Sequence, residues 1–85
     1  MDRRLAIRQL LQSLLLQKAD SRPFGDGDSL VLSGRLQSID AVEVAVFLEE
    51  KWGIDFAQIG FDQSFIDSVD AIDALIQSAG VVERT

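Results

Sequence analysis

The sequence predicts an all-α fold, a small helical bundle with one long first connection. Apolar residues recur at three- and four-residue intervals in three segments, which is the period of a helix with one buried face. The central segment is rich in β-branched Val and Ile, yet no period-two alternation runs through it, so a strand is not expected there. The chain also has no cysteine, and its core must form without disulfides. With 47% hydrophobic and 26% charged residues it can supply that core, and at 85 residues a single domain over 1–85 is expected.

The first helix is expected over about residues 3–18, with Leu5, Ile7, Leu10, Leu11, Leu14, Leu15 and Leu16 as its apolar positions. Lys18, Asp20, Ser21 and Pro23 mark its end. Residues 19–37 hold Gly25, Gly27 and Gly34 among several Asp residues and enclose one apolar group, Leu30, Val31 and Leu32. So long a connection in a small domain must pack or function, and the Leu-Val-Leu group gives it something to bury. A second helix is expected over 38–52, with Ser38 and the following acids suited to its N-terminus and Gly53 to its stop. Residues 53–66 read as a loop with one helical turn at about 62–66. The last helix is expected from Asp67-Ser68, with Ser68 as cap, Val69, Ile72, Leu75 and Ile76 as its apolar stripe, and Gly80 as its end.

Composition narrows the chemistry. Without His or Cys the chain can build neither a Ser-His-Asp triad nor a Cys-His pair, and no usual zinc site. Asp40 and Glu43 stand three apart on the second helix, but the spacing fits a solvated acidic face better than a catalytic pair. Gly25-Asp26-Gly27-Asp28 lacks the spacing and the closing Glu of a calcium loop and reads as a turn. No metal site and no enzyme activity are expected. Fourteen acidic residues oppose eight basic ones, for a net charge of -6, and Arg3, Arg4 and Arg8 crowd into the first eight positions. The remainder is strongly acidic, which argues against nucleic acid and for basic protein surfaces as partners. No apolar run approaches the roughly 20 residues needed to cross a bilayer. No signal peptide is read, and a soluble, cytoplasmic monomer without membrane insertion is the expectation.

Ser38 has two readings that chain pattern leaves open. One is a capping hydroxyl. The other is an exposed attachment point, because a serine at a loop–helix junction is reachable by a modifying enzyme and a helix N-terminus favours a phosphodiester.

The run from Gly34 to Ile54, Gly-Arg-Leu-Gln-Ser-Ile-Asp-Ala-Val-Glu-Val-Ala-Val-Phe-Leu-Glu-Glu-Lys-Trp-Gly-Ile, resembles the acyl carrier protein family around its Asp-Ser-Leu-Asp-x-Val-Glu-Leu motif and the Leu-Glu-Glu-x-Phe-Gly-Ile segment that follows. The stretch from Asp67 to Ile76 is similar to the opening of that family's last helix. The resemblance implies a four-helix up-and-down bundle with a long first loop and a short third helix. It implies that a phosphopantetheinyl transferase attaches the phosphopantetheine arm of coenzyme A to Ser38. Acyl intermediates of fatty-acid, polyketide or specialised lipid synthesis would then ride on the arm as thioesters. An aminoacyl or peptidyl carrier, or an unmodified helical interaction module with a carrier fold, is the alternative.

The resemblance further implies that Asp40, Glu43, Glu49 and Glu50 present charge to basic patches on acyl-loading and acyl-using enzymes. Ile39, Val42 and Val46 would form an apolar strip for partner contact or for an acyl cavity, with ordinary core as the competing reading. Val44, Phe47, Leu48, Ile72, Leu75 and the N-terminal leucines read as core. Gln37 stands where the family usually has Asp, and Ile39 where it usually has Leu. Between Trp52 and Val69, Phe56, Phe61 and Phe65 take the place of a more polar, proline-containing stretch. These departures imply a specialised carrier.

Overall fold

The computed structural model of the protein describes residues 3–78, and the regular segments there are all helical. In order they are α1 (Arg3–Gln17), α2 (Ser38–Trp52), α3 (Phe56–Ile59), a 3₁₀ helix (Gln63–Ile66) and α4 (Val69–Ser78). α1 packs against α2 and α4, and the 3₁₀ helix packs against α2 and α4.

α1 buries Ala6, Ile7, Leu11, Leu14 and Leu15. Two of the leucines expected in the core are instead exposed, Leu5 at 50% and Leu16 at 60%, and Leu10 is only half-buried, because one helix face is too narrow to hold every apolar position. The helix closes in a paired motif: Asp20 N–H donates to Leu15 O and Ala19 N–H to Leu16 O, with Ala19 at φ 60°. That left-handed turn usually falls to glycine, and here an alanine adopts it.

α2 occupies the expected span, and Gly53 ends it in the left-handed conformation at φ 70°, its N–H bonding to Glu49 O. A side chain at this position would strain the backbone. Residues 53–68 hold more helix than expected. The 3₁₀ helix lies at the expected turn, while α3 is an additional single turn, capped by Asp55, whose carboxylate accepts from Gln58 N–H. Its Phe56 ring is buried and meets Phe61 edge-on at 5.5 Å. α4 begins as expected, with Ser68 Oγ accepting from Ala71 N–H at 3.1 Å. Gly80, expected to end it, lies outside the described residues.

The connection from α1 to α2 packs under the helices through Phe24, Leu30, Val31 and Leu36, whereas Leu32, expected beside them, is 65% exposed. Its polar groups are tied at three places. Asp67, just ahead of α4, accepts from Leu30 N–H on its backbone carbonyl and from Val31 and Leu32 N–H on its carboxylate, each at 2.8 Å. Asp26 pairs with Arg4 and Arg8 of α1, and its carbonyl accepts from Asp70 N–H. Asp20 is bound by Arg22 and Arg35, which hold its carboxyl well below the usual carboxylate range. The Gly25–Asp28 stretch is a turn, Asp28 bonding back to Gly25 N–H, as its spacing implied.

Removing the Asp67 carboxylate strands two N–H groups of the connection. Asp67→Ala is expected to lower the unfolding free energy by about 1–3 kcal/mol. Urea denaturation of the two proteins, followed by circular dichroism, measures the difference.

Candidate functional site

Ser38 is the first residue of α2 and is exposed. It is not the cap. Gln37 occupies the N-cap position in an extended conformation, and its N–H donates to Asp40 Oδ2 at 2.9 Å. The carboxylate three residues into the helix thus reaches back to the start, which is half of a capping box. Ser38 Oγ has another partner: it accepts from Nε2 of Gln63, on the 3₁₀ helix, at 3.2 Å. The capping reading of Ser38 is corrected by this geometry, and its hydroxyl stands outside the backbone bonding that starts the helix.

Asp40, expected to face partners, is instead buried. Lys18 Nζ, just beyond α1, meets Oδ2 at 2.9 Å, the oxygen that also takes the Gln37 N–H. Burial by itself raises this carboxyl, but the Lys18 ammonium and the Gln37 N–H outweigh it and hold the group below its ordinary value. Asp40 therefore joins α1 to the head of α2 and presents no charge outward.

The other expected site residues do come together. Counted at about 100° per residue, Ser38, Ile39, Val42, Glu43, Val46, Glu49 and Glu50 fall within an arc of about 140° on α2. The opposite side carries the buried Ala41, Val44, Ala45, Leu48 and Trp52, with Phe47 half-buried at the boundary. Ile39, Val42 and Val46 are 63%, 52% and 44% exposed, which removes their reading as core. Glu43, Glu49 and Glu50 are exposed beside them, and none forms an ion pair among the described residues. Asp20, Asp26, Asp70 and Asp73 are all paired with arginines. Arg3, Arg4 and Arg8 thus cancel Asp26, Asp70 and Asp73, and Arg22 and Arg35 cancel Asp20, while Glu43, Glu49 and Glu50 of α2 are left uncompensated.

Asp40 and Glu43 do not act as a pair, since one is turned inward to Lys18 and the other outward. Among the described residues no group of three or more acidic side chains is placed to hold a metal ion. No helix among them is long and apolar enough to cross a membrane. One feature was missed from the sequence. An open apolar groove of about 440 Å³ lies between α3, the 3₁₀ helix and α4, lined chiefly by Ile59, Phe65, Ala71, Ala74 and Leu75. Phe65 could have pointed to it, as an apolar residue within a single turn and without a place in any longer helical stripe.

The Lys18–Asp40 contact gives a pH signature. The Asp40 carboxyl is lower in the folded than in the unfolded chain, so its contribution is complete above the ordinary carboxylate value of about 4 and is lost as pH falls through the folded value. Lys18→Met is expected to cost about 1–3 kcal/mol near neutral pH. Urea titrations across the acid range should show that difference shrinking as pH falls.

Comparison of the chain with family models, with curated proteins and with solved structures finds no match in any of the three.

Proposed function

We propose that this chain is an acyl carrier protein, which holds acyl groups as thioesters on a phosphopantetheine arm at Ser38 and delivers them to separate enzymes. The observation that carries the reading is the outer face of α2. An exposed serine stands at its head, followed by the exposed strip Ile39, Val42 and Val46, and flanked by the uncompensated Glu43, Glu49 and Glu50. The sequence from Leu36 to Glu43 that resembles the family's attachment motif supplies this serine and the upper part of that face.

The residues present fit the arm. Ser38 Oγ caps nothing, so esterifying it disturbs no backbone bond of α2. The helix N-terminus favours the negative charge that a phosphodiester brings. When bound, the arm supplies the thiol that the cysteine-free chain lacks. The chain itself makes and breaks no bonds in this reading. Its glutamates speed encounter with basic docking surfaces on the transferase and on acyl-loading and acyl-using enzymes, an effect that salt weakens. Ile39, Val42 and Val46 provide the apolar contact once docked. The groove beside Phe65 and Leu75 favours fatty, polyketide or other lipid-like cargo over aminoacyl groups, because its lining is apolar.

The up-and-down four-helix topology of the carrier family belongs to the same proposal, with α3 and the 3₁₀ helix together standing for its short third helix. Phe56, Phe61 and Phe65, between Trp52 and Val69, support a specialised member of that family, and Gln37, in the place of its Asp, weakens recognition by a general transferase in this reading.

Incubation with coenzyme A and a broad-specificity phosphopantetheinyl transferase is expected to add the mass of one phosphopantetheinyl group to the wild type and nothing to Ser38→Ala. Intact-protein mass spectrometry reads both. Wild type left unmodified by transferases of several specificities would mean a helical interaction module working through the same face of α2.

A further inference from the structure

An attachment site at Ser38 does not explain why a side chain from another element already holds its hydroxyl. Gln63 opens the 3₁₀ helix Gln63–Ile66 and donates from Nε2 to Ser38 Oγ at 3.2 Å. Its backbone is well supported. Asp62 accepts from Ser64 N–H on its carboxylate and from Phe65 N–H on its carbonyl, both at 2.9 Å, and Ile66 is fully buried. The element packs on α2 and on α4. Gln63 therefore offers its amide from an anchored turn.

We propose that Gln63 is a positioning residue for the phosphodiester formed at Ser38, donating its side-chain N–H to a phosphate oxygen and holding the root of the arm against the 3₁₀ helix. This rests on the reading of Ser38 as the attachment site. When a transferase moves the arm from coenzyme A, the Ser38 Oγ–P bond forms as the pyrophosphate P–O bond breaks. Adenosine 3′,5′-bisphosphate leaves, and the hydroxyl proton passes to the transferase. Ser38 Oγ becomes a bridging oxygen, a poorer acceptor, with the anionic oxygens two bonds beyond it on phosphorus. A donor already 3.2 Å from Oγ reaches one of them by a small side-chain rotation, and its bond becomes charge-assisted, roughly twice as strong as a neutral one.

The cations around the head of α2 are committed elsewhere. Lys18 is bound to Asp40, and Arg35 to Asp20 and to the carbonyls of Arg22 and Pro23. The neighbouring acids are engaged as well, Asp40 by Lys18 and the Gln37 N–H, and Asp62 by the Ser64 N–H. Among the described residues the neutral amide of Gln63 is thus the side-chain donor in contact with Ser38, in addition to the backbone donors of the helix N-terminus. Because Ser64 and Phe65 follow it and line the apolar groove, the same contact roots the arm beside that groove.

The test compares wild type, Gln63→Ala and the control Gln58→Ala, each loaded from coenzyme A by a broad-specificity transferase and checked by intact mass. Phosphorus-31 and proton–nitrogen NMR spectra are recorded before and after loading. The expected results are a downfield shift of the Gln63 side-chain amide protons when wild type is loaded, and a phosphorus resonance that moves in Gln63→Ala but not in Gln58→Ala. A loaded wild type with an unmoved Gln63 amide, or one phosphorus resonance common to all three proteins, overturns the inference and leaves the attachment reading intact. Wild type that gains no mass overturns both. Should Gln63→Ala fail to fold, the wild-type amide shift alone decides.

Discussion

The connection between α1 and α2 has no helix of its own, yet it must bury apolar side chains and leave no backbone donor stranded, and Asp67 is where both demands meet. Its carbonyl and carboxylate take the N–H groups of Leu30, Val31 and Leu32, which turn Leu30 and Val31 beneath the helices. Leu36 N–H then returns to Leu30 O, so the chain leaves this turn in a defined direction. One residue later Gln37 starts α2, and Ser38 follows. The position of Ser38 thus depends on a carboxylate far along the chain, at the entry to α4. Asp26 adds a second tie, from the connection to α1 through Arg4 and Arg8 and to α4 through the Asp70 N–H.

α2 shows how a single helix divides its work. Its inner side is closed by Val44, Leu48 and Trp52, and its head is tied to α1 by the Lys18–Asp40 contact. With that side committed to stability, the outer side is free to combine features that a core would not tolerate: exposed β-branched residues, three unpaired glutamates and a serine. An exposed apolar strip is costly to solubility unless something covers it, and a rim of like charge offsets that cost.

Much of this was legible in the sequence, and what was not has a common cause. The three-and-four spacing located α1, α2 and α4, and Gly53 and Ser68 marked ends that bond as expected. Local periodicity also placed Ser38 and the strip of Ile39, Val42 and Val46 together, though it did not say which side of α2 was covered. Asp40 was misassigned because a carboxylate two residues after a serine looks exposed until its lysine, from the turn that follows α1, is known. The helical wheel did hold a clue, since Asp40 falls nearer to Val44 and Leu48 than to Val42. Gln37 as cap was missed because Gln is not a favoured capping residue, and the reach of Asp40 sets the position. α3 is a single turn and leaves no period to detect. Asp67 and Gln63 act on residues far away in the chain, and no local pattern contains them.

The central claim is that the outer face of α2 exists to present a modified Ser38. Its most direct test is the mass of the Ser38-containing peptide from protein isolated from the cells that make it, without added transferase or coenzyme A. The account predicts that this peptide carries phosphopantetheine, free or acylated. A Ser38 peptide found only at its unmodified mass would contradict it.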